Sequence, residues 1–116
     1  MPLVEVQLSS PLSATAQSAL MSTLSQSVAK ILGKPESYMM VVLRSEVPML
    51  MGGSAEPTAL VKVRSVGAIS APQSRELAGS ITQSLVKAGG LDDDRVYCLF
   101  EGVPGARWAQ GGQTFG

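Results

Sequence analysis

Period-two alternation opens the chain. In MPLVEVQL, Val4, Val6 and Leu8 fall on one side and Leu3, Glu5 and Gln7 on the other, which predicts a strand ended by Pro11. From Ser13, a residue type suited to an N-cap, the period changes: Leu20, Leu24, Val28 and Leu32 recur every fourth residue until Gly33 and Pro35 stop the pattern. That is a helix. The run from Tyr38 to Leu43 is apolar at every position and too short for a helix, so it reads as a strand covered on both faces and central in its sheet. The stretch Glu46 to Pro57 breaks at MGGSAEP into a glycine turn, with a short strand expected over Val47 to Met51.

Alternation returns in TALVKVRSVGAIS, where Ala59, Val61 and Val63 oppose Leu60, Lys62 and Arg64. Ser70 and Gln73 have the spacing of a capping box and Pro72 falls in the first helical turn, so a second helix begins there, with Leu77, Ile81 and Leu85 on its buried stripe and Gly89-Gly90 at its end. DDDRVYCLFEG supplies a fourth strand behind an acidic, solvated turn, and the glycine-rich tail has room for a short edge strand. Ser13 and Gly33 correspond to Ser70 and Gly90 at a constant offset, which suggests two strand–helix–strand repeats over about 2–45 and 58–101 within one domain, 1–116. Helical crossovers join parallel strands. The expectation is an α+β fold: duplicated βαβ units in a four-stranded mixed sheet, both helices on one face, and the other face buried against further copies.

Composition narrows the function. Nine basic and nine acidic residues cancel, and the charged fraction is 16%, below the roughly 25% usual for soluble domains, so a nucleic-acid surface is not expected. Hydrophobic residues make up 45%, more than one small core can hold, which again argues for burial between subunits. No signal peptide or membrane span is read, and a cytoplasmic location is the expectation. The lone Cys98 has no intrachain partner, and without histidine the ordinary zinc and iron ligand sets are missing, so neither a metal nor a histidine base is expected.

Attention therefore falls on Pro2. If Met1 is removed, Pro2 carries a free secondary amine. A terminal amine titrates near about 8, and burial disfavours its charged form, so a pocket can leave it neutral and basic at working pH. Without such a pocket, Pro2 is simply a residue tolerated at a strand start.

Taken together, MPLVEV, GKPESYMMV, MGGSAEPTAL, RSVGAIS, DRVYCLF and the closing TFG resemble, in order and spacing, the macrophage migration inhibitory factor and D-dopachrome tautomerase family of the tautomerase superfamily. The likeness spans essentially the whole chain. It implies a homotrimer with active sites at subunit interfaces, and a cofactor-independent keto–enol tautomerase of phenylpyruvate-like 2-oxo acids in which the N-terminal proline, here Pro2, is general base and then acid. Lys34 matches the lysine that binds the substrate carboxylate, although alone it reads as a cation at a helix C-terminus. Ser65 and Val66 match pocket-lining positions and otherwise read as strand-end packing. Tyr97, by itself a half-buried strand aromatic, matches a tyrosine contributed by the neighbouring subunit. Tyr38, Leu99, Trp108 and Phe115 are candidates for the pocket wall.

The chain also departs from the family pattern. Leu99 stands where the mammalian cytokine has asparagine. The Cys-x-x-Cys positions of that cytokine fall on Thr58 and Val61, so its proposed thiol–disulfide activity is not expected. RWAQGG leaves Gln110 at the second aromatic position of a Trp-Gly-Trp pattern common in relatives. Two further readings stay open: a cytokine-like receptor-binding protein with a vestigial pocket, and hydration or dehalogenation of an unsaturated acid, for which Arg64, Arg107 and Glu101 are the candidate groups.

Overall fold

Serines and glycines punctuate the chain where the caps demand them. In the computed structural model, which describes residues 1–116, the Ser13 hydroxyl accepts from the Ala16 N–H at 3.1 Å and starts helix α1 (Ala14–Leu32). Ser70 and Gln73 close a reciprocal capping box at the start of α2 (Ala71–Gly89). Gly33 and Gly90 end the two helices in the left-handed conformation, at φ 66° and 65°. Strands β1 (Pro2–Leu8), β2 (Met40–Arg44), β3 (Ala59–Val66) and β4 (Val96–Val103) form one sheet in the order β2-β1-β3-β4. Pairs β1–β2 and β3–β4 are parallel, as helical crossovers require, and β1–β3 is antiparallel.

The alternation read from the sequence sorts onto two faces. Val4, Val6, Leu8, Ala59, Val61 and Val63 are buried against Leu20, Leu24, Val28, Leu77, Ile81 and Leu85 of the helices. By register, the opposite face carries Leu3, Glu5 and Gln7 of β1, Met40, Val42 and Arg44 of β2, Leu60, Lys62 and Arg64 of β3, and Tyr97, Leu99 and Glu101 of β4. Nothing within the chain covers this face. On it Arg64 bridges Glu5 at 2.7 Å and Glu101 at 2.9 Å, linking three strands.

Two expectations are corrected. The run from Tyr38 is not a central strand: Tyr38 ends a 3-10 turn (Glu36–Tyr38), and β2 starts at Met40 on the sheet edge. Its second apolar row, Met40 and Val42, belongs to the uncovered face, so two-sided hydrophobicity here reports an unfilled surface rather than a central place. Nor do Val47 to Met51 form a strand: the Val47 N–H donates to the Leu8 carbonyl at 3.1 Å and Met51 bridges to Ser54 around the Gly52-Gly53 turn, but no ladder joins the two.

What secures that turn is Arg95. It ends the 3-10 turn Asp93–Arg95, and its guanidinium donates to the carbonyl oxygens of Pro57, Met51, Ser54 and Glu56 at 3.0–3.4 Å. Thr58 fastens the other side by donating to the Arg95 carbonyl at 2.7 Å. The tail makes a 3-10 turn, Gly105–Arg107, and a separate two-stranded hairpin, β5 (Ala109–Gln110) and β6 (Gln113–Thr114), in place of an added sheet edge. No helix is long and apolar enough to cross a membrane.

Charge-assisted hydrogen bonds each contribute about 1.5–3 kcal/mol at most, and less where water competes. Replacing Arg95 with alanine is expected to lower stability by about 2 kcal/mol in urea unfolding and to accelerate amide exchange selectively over residues 51–57.

Candidate active site

Pro2 is fully buried although it is the second residue of the chain. It pairs with Ser65 across the antiparallel β1–β3 ladder, and the Val66 N–H donates to the Met1 carbonyl at 3.2 Å. The missing N–H of proline costs nothing at this end of the ladder. Ser65 is buried beneath it, and the chain then turns away at Gly67, whose φ is 90° and whose N–H donates to Val103 at 2.9 Å. Strand β4 passes so close that a Cβ at Gly102 would collide with the Gly67 carbonyl oxygen.

Lys34 reaches the same end of the sheet through the cap of α1. Gly33 N–H donates to Lys30 and Lys34 N–H to the Ala29 carbonyl at 2.9 Å, the paired bonds of a Schellman motif that fix the lysine backbone. Pro35 and the 3-10 turn that follows carry Ser37, Tyr38 and Met39 past Pro2, and Met40 lies in register with Leu3.

The result is a cleft of about 420 Å³ bounded by Met1, Pro2, Leu3, Ser37, Tyr38, Met39, Met40, Trp108 and Gln110. Its walls are mainly apolar, and its volume falls within the range of small-molecule sites. The terminal amine at its edge titrates below its usual 8.0, first because burial disfavours the ammonium and second because Lys34 repels it. A larger cavity, about 530 Å³ between α1 and α2, is lined by small and hydroxyl side chains with Lys87, and holds no pair of groups able to pass a proton.

Of the residues singled out from the sequence, Pro2, Lys34, Ser65, Val66, Tyr38 and Trp108 therefore gather at one end of the fold. The others do not. Tyr97 is 63% exposed rather than half-buried, and it sits on the opposite edge strand, level with Leu60. Leu60 lies five positions from the Ser65 partner of Pro2, roughly 16 Å along the strand at ~3.3 Å per residue. Leu99 is 57% exposed on the same strand. Phe115 packs back onto the tail, its N–H shared between the carbonyls of Gly105 and Trp108 at 3.0 Å, and does not line the cleft. Arg64 and Glu101 are engaged with each other and Glu5, and Arg107 lies in the tail turn, so they form no second constellation. Sequence reasoning missed Ser37, Met39 and Met40 as walls. The register of Met40 with Leu3 placed them there, and nothing in their spacing announced it.

The chain is similar to known proteins over essentially its whole length. The family model described as macrophage migration inhibitory factor matches residues 1–116. A macrophage migration inhibitory factor homolog of Brugia malayi is 31% identical over 85% of this chain and 86% of its own length. D-dopachrome decarboxylase of Bos taurus is 35% identical, covering 96% and 92% respectively. The solved structure of a macrophage migration inhibitory factor homologue from Prochlorococcus marinus superposes with a TM-score of 0.92 at 39% identity, over 98% of this chain and 99% of that one.

Overpacking a tight approach costs about 1–3 kcal/mol. Gly102→Ala should therefore destabilise the protein by that amount in thermal unfolding and displace the Ser65–Gly67 segment, seen as shifted backbone amide resonances for those residues and Pro2's neighbours.

Proposed function

The chain belongs to the macrophage migration inhibitory factor family and has its tautomerase fold, and from that premise we propose that it is a cofactor-independent keto–enol tautomerase of phenylpyruvate-like 2-oxo acids. The observation that carries this reading is the burial of Pro2 in the wall of an apolar cleft, with the charge of Lys34 near enough to act on the terminal amine. Removal of Met1 would convert the Pro2 nitrogen from an amide into a secondary amine in surroundings that already hold a terminal amine below its usual titration range. A neutral amine is the form that accepts a proton.

In the forward direction the Pro2 nitrogen takes a proton from the carbon beside the ketone. The C–H electron pair becomes the new carbon–carbon double bond, and the carbonyl pair moves onto oxygen. Pro2 then returns the proton to that oxygen, giving the enol and restoring the free amine. Lys34 supplies the charge that binds the carboxylate and favours the enolate. Processing also releases a donor: the Val66 N–H loses its Met1 acceptor and is left beside Pro2, placed for the developing oxyanion.

We further propose that the working unit is a homotrimer in which a second copy supplies Tyr97 to the cleft. Only 19 of the 116 residues are buried in one chain, which leaves Met40, Tyr97 and Leu99 exposed on the open face. A cytoplasmic location belongs to the same proposal.

Turnover of phenylpyruvate should be followed by ultraviolet absorbance on protein whose intact mass shows that it begins at Pro2. Pro2→Gly, or one residue added before Pro2, is expected to lower kcat/KM by at least about 100-fold, the lower limit for losing a positioned general base, with the oligomer intact. Full activity in either variant would refute the mechanism. Lys34→Gln should raise KM and also move the acidic limb of the kcat/KM profile to higher pH. The sign follows from repulsion: the cation disfavours the protonated amine, so its loss raises the amine pKa and the basic form then appears only at higher pH.

A further inference from the structure

Sulfur is unevenly placed in this chain. Of its six methionines, Met1 would leave with processing, and Met21, Met39, Met49 and Met51 are partly covered, Met39 against the core and Met51 with the Thr58 hydroxyl donating to its sulfur at 3.5 Å. Met40 alone is exposed, at 62%, and it stands in the wall of the Pro2 cleft. The single thiol does not compete with it: Cys98 is half-buried, and burial pushes its titration above the usual range, which leaves little of the reactive thiolate. We infer that Met40 is a site of reversible oxidation by peroxide, and that its sulfoxide weakens the hold of the cleft on its acid. The second part rests on the tautomerase reading for what the cleft binds.

The position makes the residue both reachable and consequential. Met40 opens β2, the edge strand, in register with Leu3, the residue after Pro2. Its neighbour Met39 packs against the core, while Met40 belongs to the uncovered face where the cleft begins. A second copy seated on that face would not shut the route, because a cleft that admits a 2-oxo acid admits the smaller peroxide. The thioether lone pair attacks one peroxide oxygen, and the S–O bond forms as the O–O bond breaks. The departing hydroxide takes the proton of the transferred oxygen and leaves as water, so sulfur loses the two electrons that peroxide gains. A thiol-dependent methionine sulfoxide reductase reverses the change, releasing the oxygen as water while two thiols close into a disulfide. The product places a polar acceptor where a flexible apolar side chain stood. Hydrocarbon laid over it strips its water without returning a hydrogen bond.

The test exposes protein that begins at Pro2 to hydrogen peroxide, removes the excess with catalase, since 2-oxo acids consume it, and maps sulfoxides by peptide mass. Met40 should carry the first added oxygen. With that oxygen in place, kcat/KM for phenylpyruvate should fall about three- to thirtyfold, the range for burying a polar group without a partner. Activity should return when the two epimer-specific methionine sulfoxide reductases are added with dithiothreitol. Met40→Leu, measured against its own untreated activity, should lose nothing under the same exposure. Oxygen arriving first on another residue, or a loss that Met40→Leu shares, overturns the role of Met40. So does unchanged turnover by protein oxidised at Met40, a result that leaves the tautomerase reading standing. Absence of turnover in the untreated protein overturns the tautomerase reading instead. Titration with 3-phenylpropanoate, followed by quenching of Trp108, the single tryptophan of the chain, then decides on Met40: weaker binding after oxidation supports it, and unchanged or undetectable binding overturns it.

Discussion

The proposed chemistry depends on the first strand of the chain being held in the middle of a sheet. Termini ordinarily fray because few contacts repay their ordering. Here β1 begins at residue 2 and is hydrogen-bonded on both sides, parallel to β2 and antiparallel to β3. Pro2 is consequently as immobile as a core residue, and its nitrogen lies where two loops converge, one from the cap of α1 and one from the end of β3. A proline suits this place twice over. While Met1 is attached it brings no N–H to this end of the ladder, and its ring limits the conformations that a residue at the start of a strand would otherwise sample.

The helices and their limits were legible because caps act locally: Ser13, Gly33, Ser70 with Gln73, and Gly90 each bond within a few residues of themselves. The inward faces of β1 and β3 were legible for the same reason, since alternation is a property of one segment. What alternation cannot supply is the neighbour. Met40 and Val42 made β2 look central when it lies at the edge, because burial by another copy and burial by another strand demand the same residues. Arg95 escaped notice differently. Its partners are four backbone carbonyls some forty residues away, and a carbonyl leaves no mark in a sequence. On the candidate site, family resemblance joined to amine chemistry pointed to Pro2 and Lys34, whereas Met40 entered through a register that only the folded sheet defines.

The open face raises a question of balance. Its apolar side chains favour burial, yet Glu5, Arg64 and Glu101 sit among them. The side chains of Arg64 and Glu5 are 36% and 38% exposed, so in a single chain their ion pair contributes within the usual ~0–1 kcal/mol of a wet salt bridge. Covering the face would dry these charges and raise both their attraction and their desolvation penalty. Because Arg64 already satisfies carboxylates on two other strands, the network enters any interface nearly neutralised, with one carboxylate in excess. Lys62, in register with Glu5 and Leu99, supplies the opposite charge in the same row. The face can therefore be hydrophobic enough to associate and polar enough to do so in one register.

Lys34 shows how the fold and the site share a residue without compromise. A cation just beyond a helix C-terminus is favoured by the exposed carbonyls, typically by about 0.3–1 kcal/mol, so folding alone would keep a basic residue there. The Schellman bonds at Gly33 and Lys34 hold its backbone, and the side chain remains exposed and free of any salt bridge. The carboxyl groups on this end of the fold do not neutralise it: Glu36, two residues on, accepts instead from the Ser25 hydroxyl at 2.8 Å. The charge that helps end α1 is thus left available to the cleft. On the proposed reading, an acid bound at Lys34 would offset the repulsion that this charge exerts on the terminal amine.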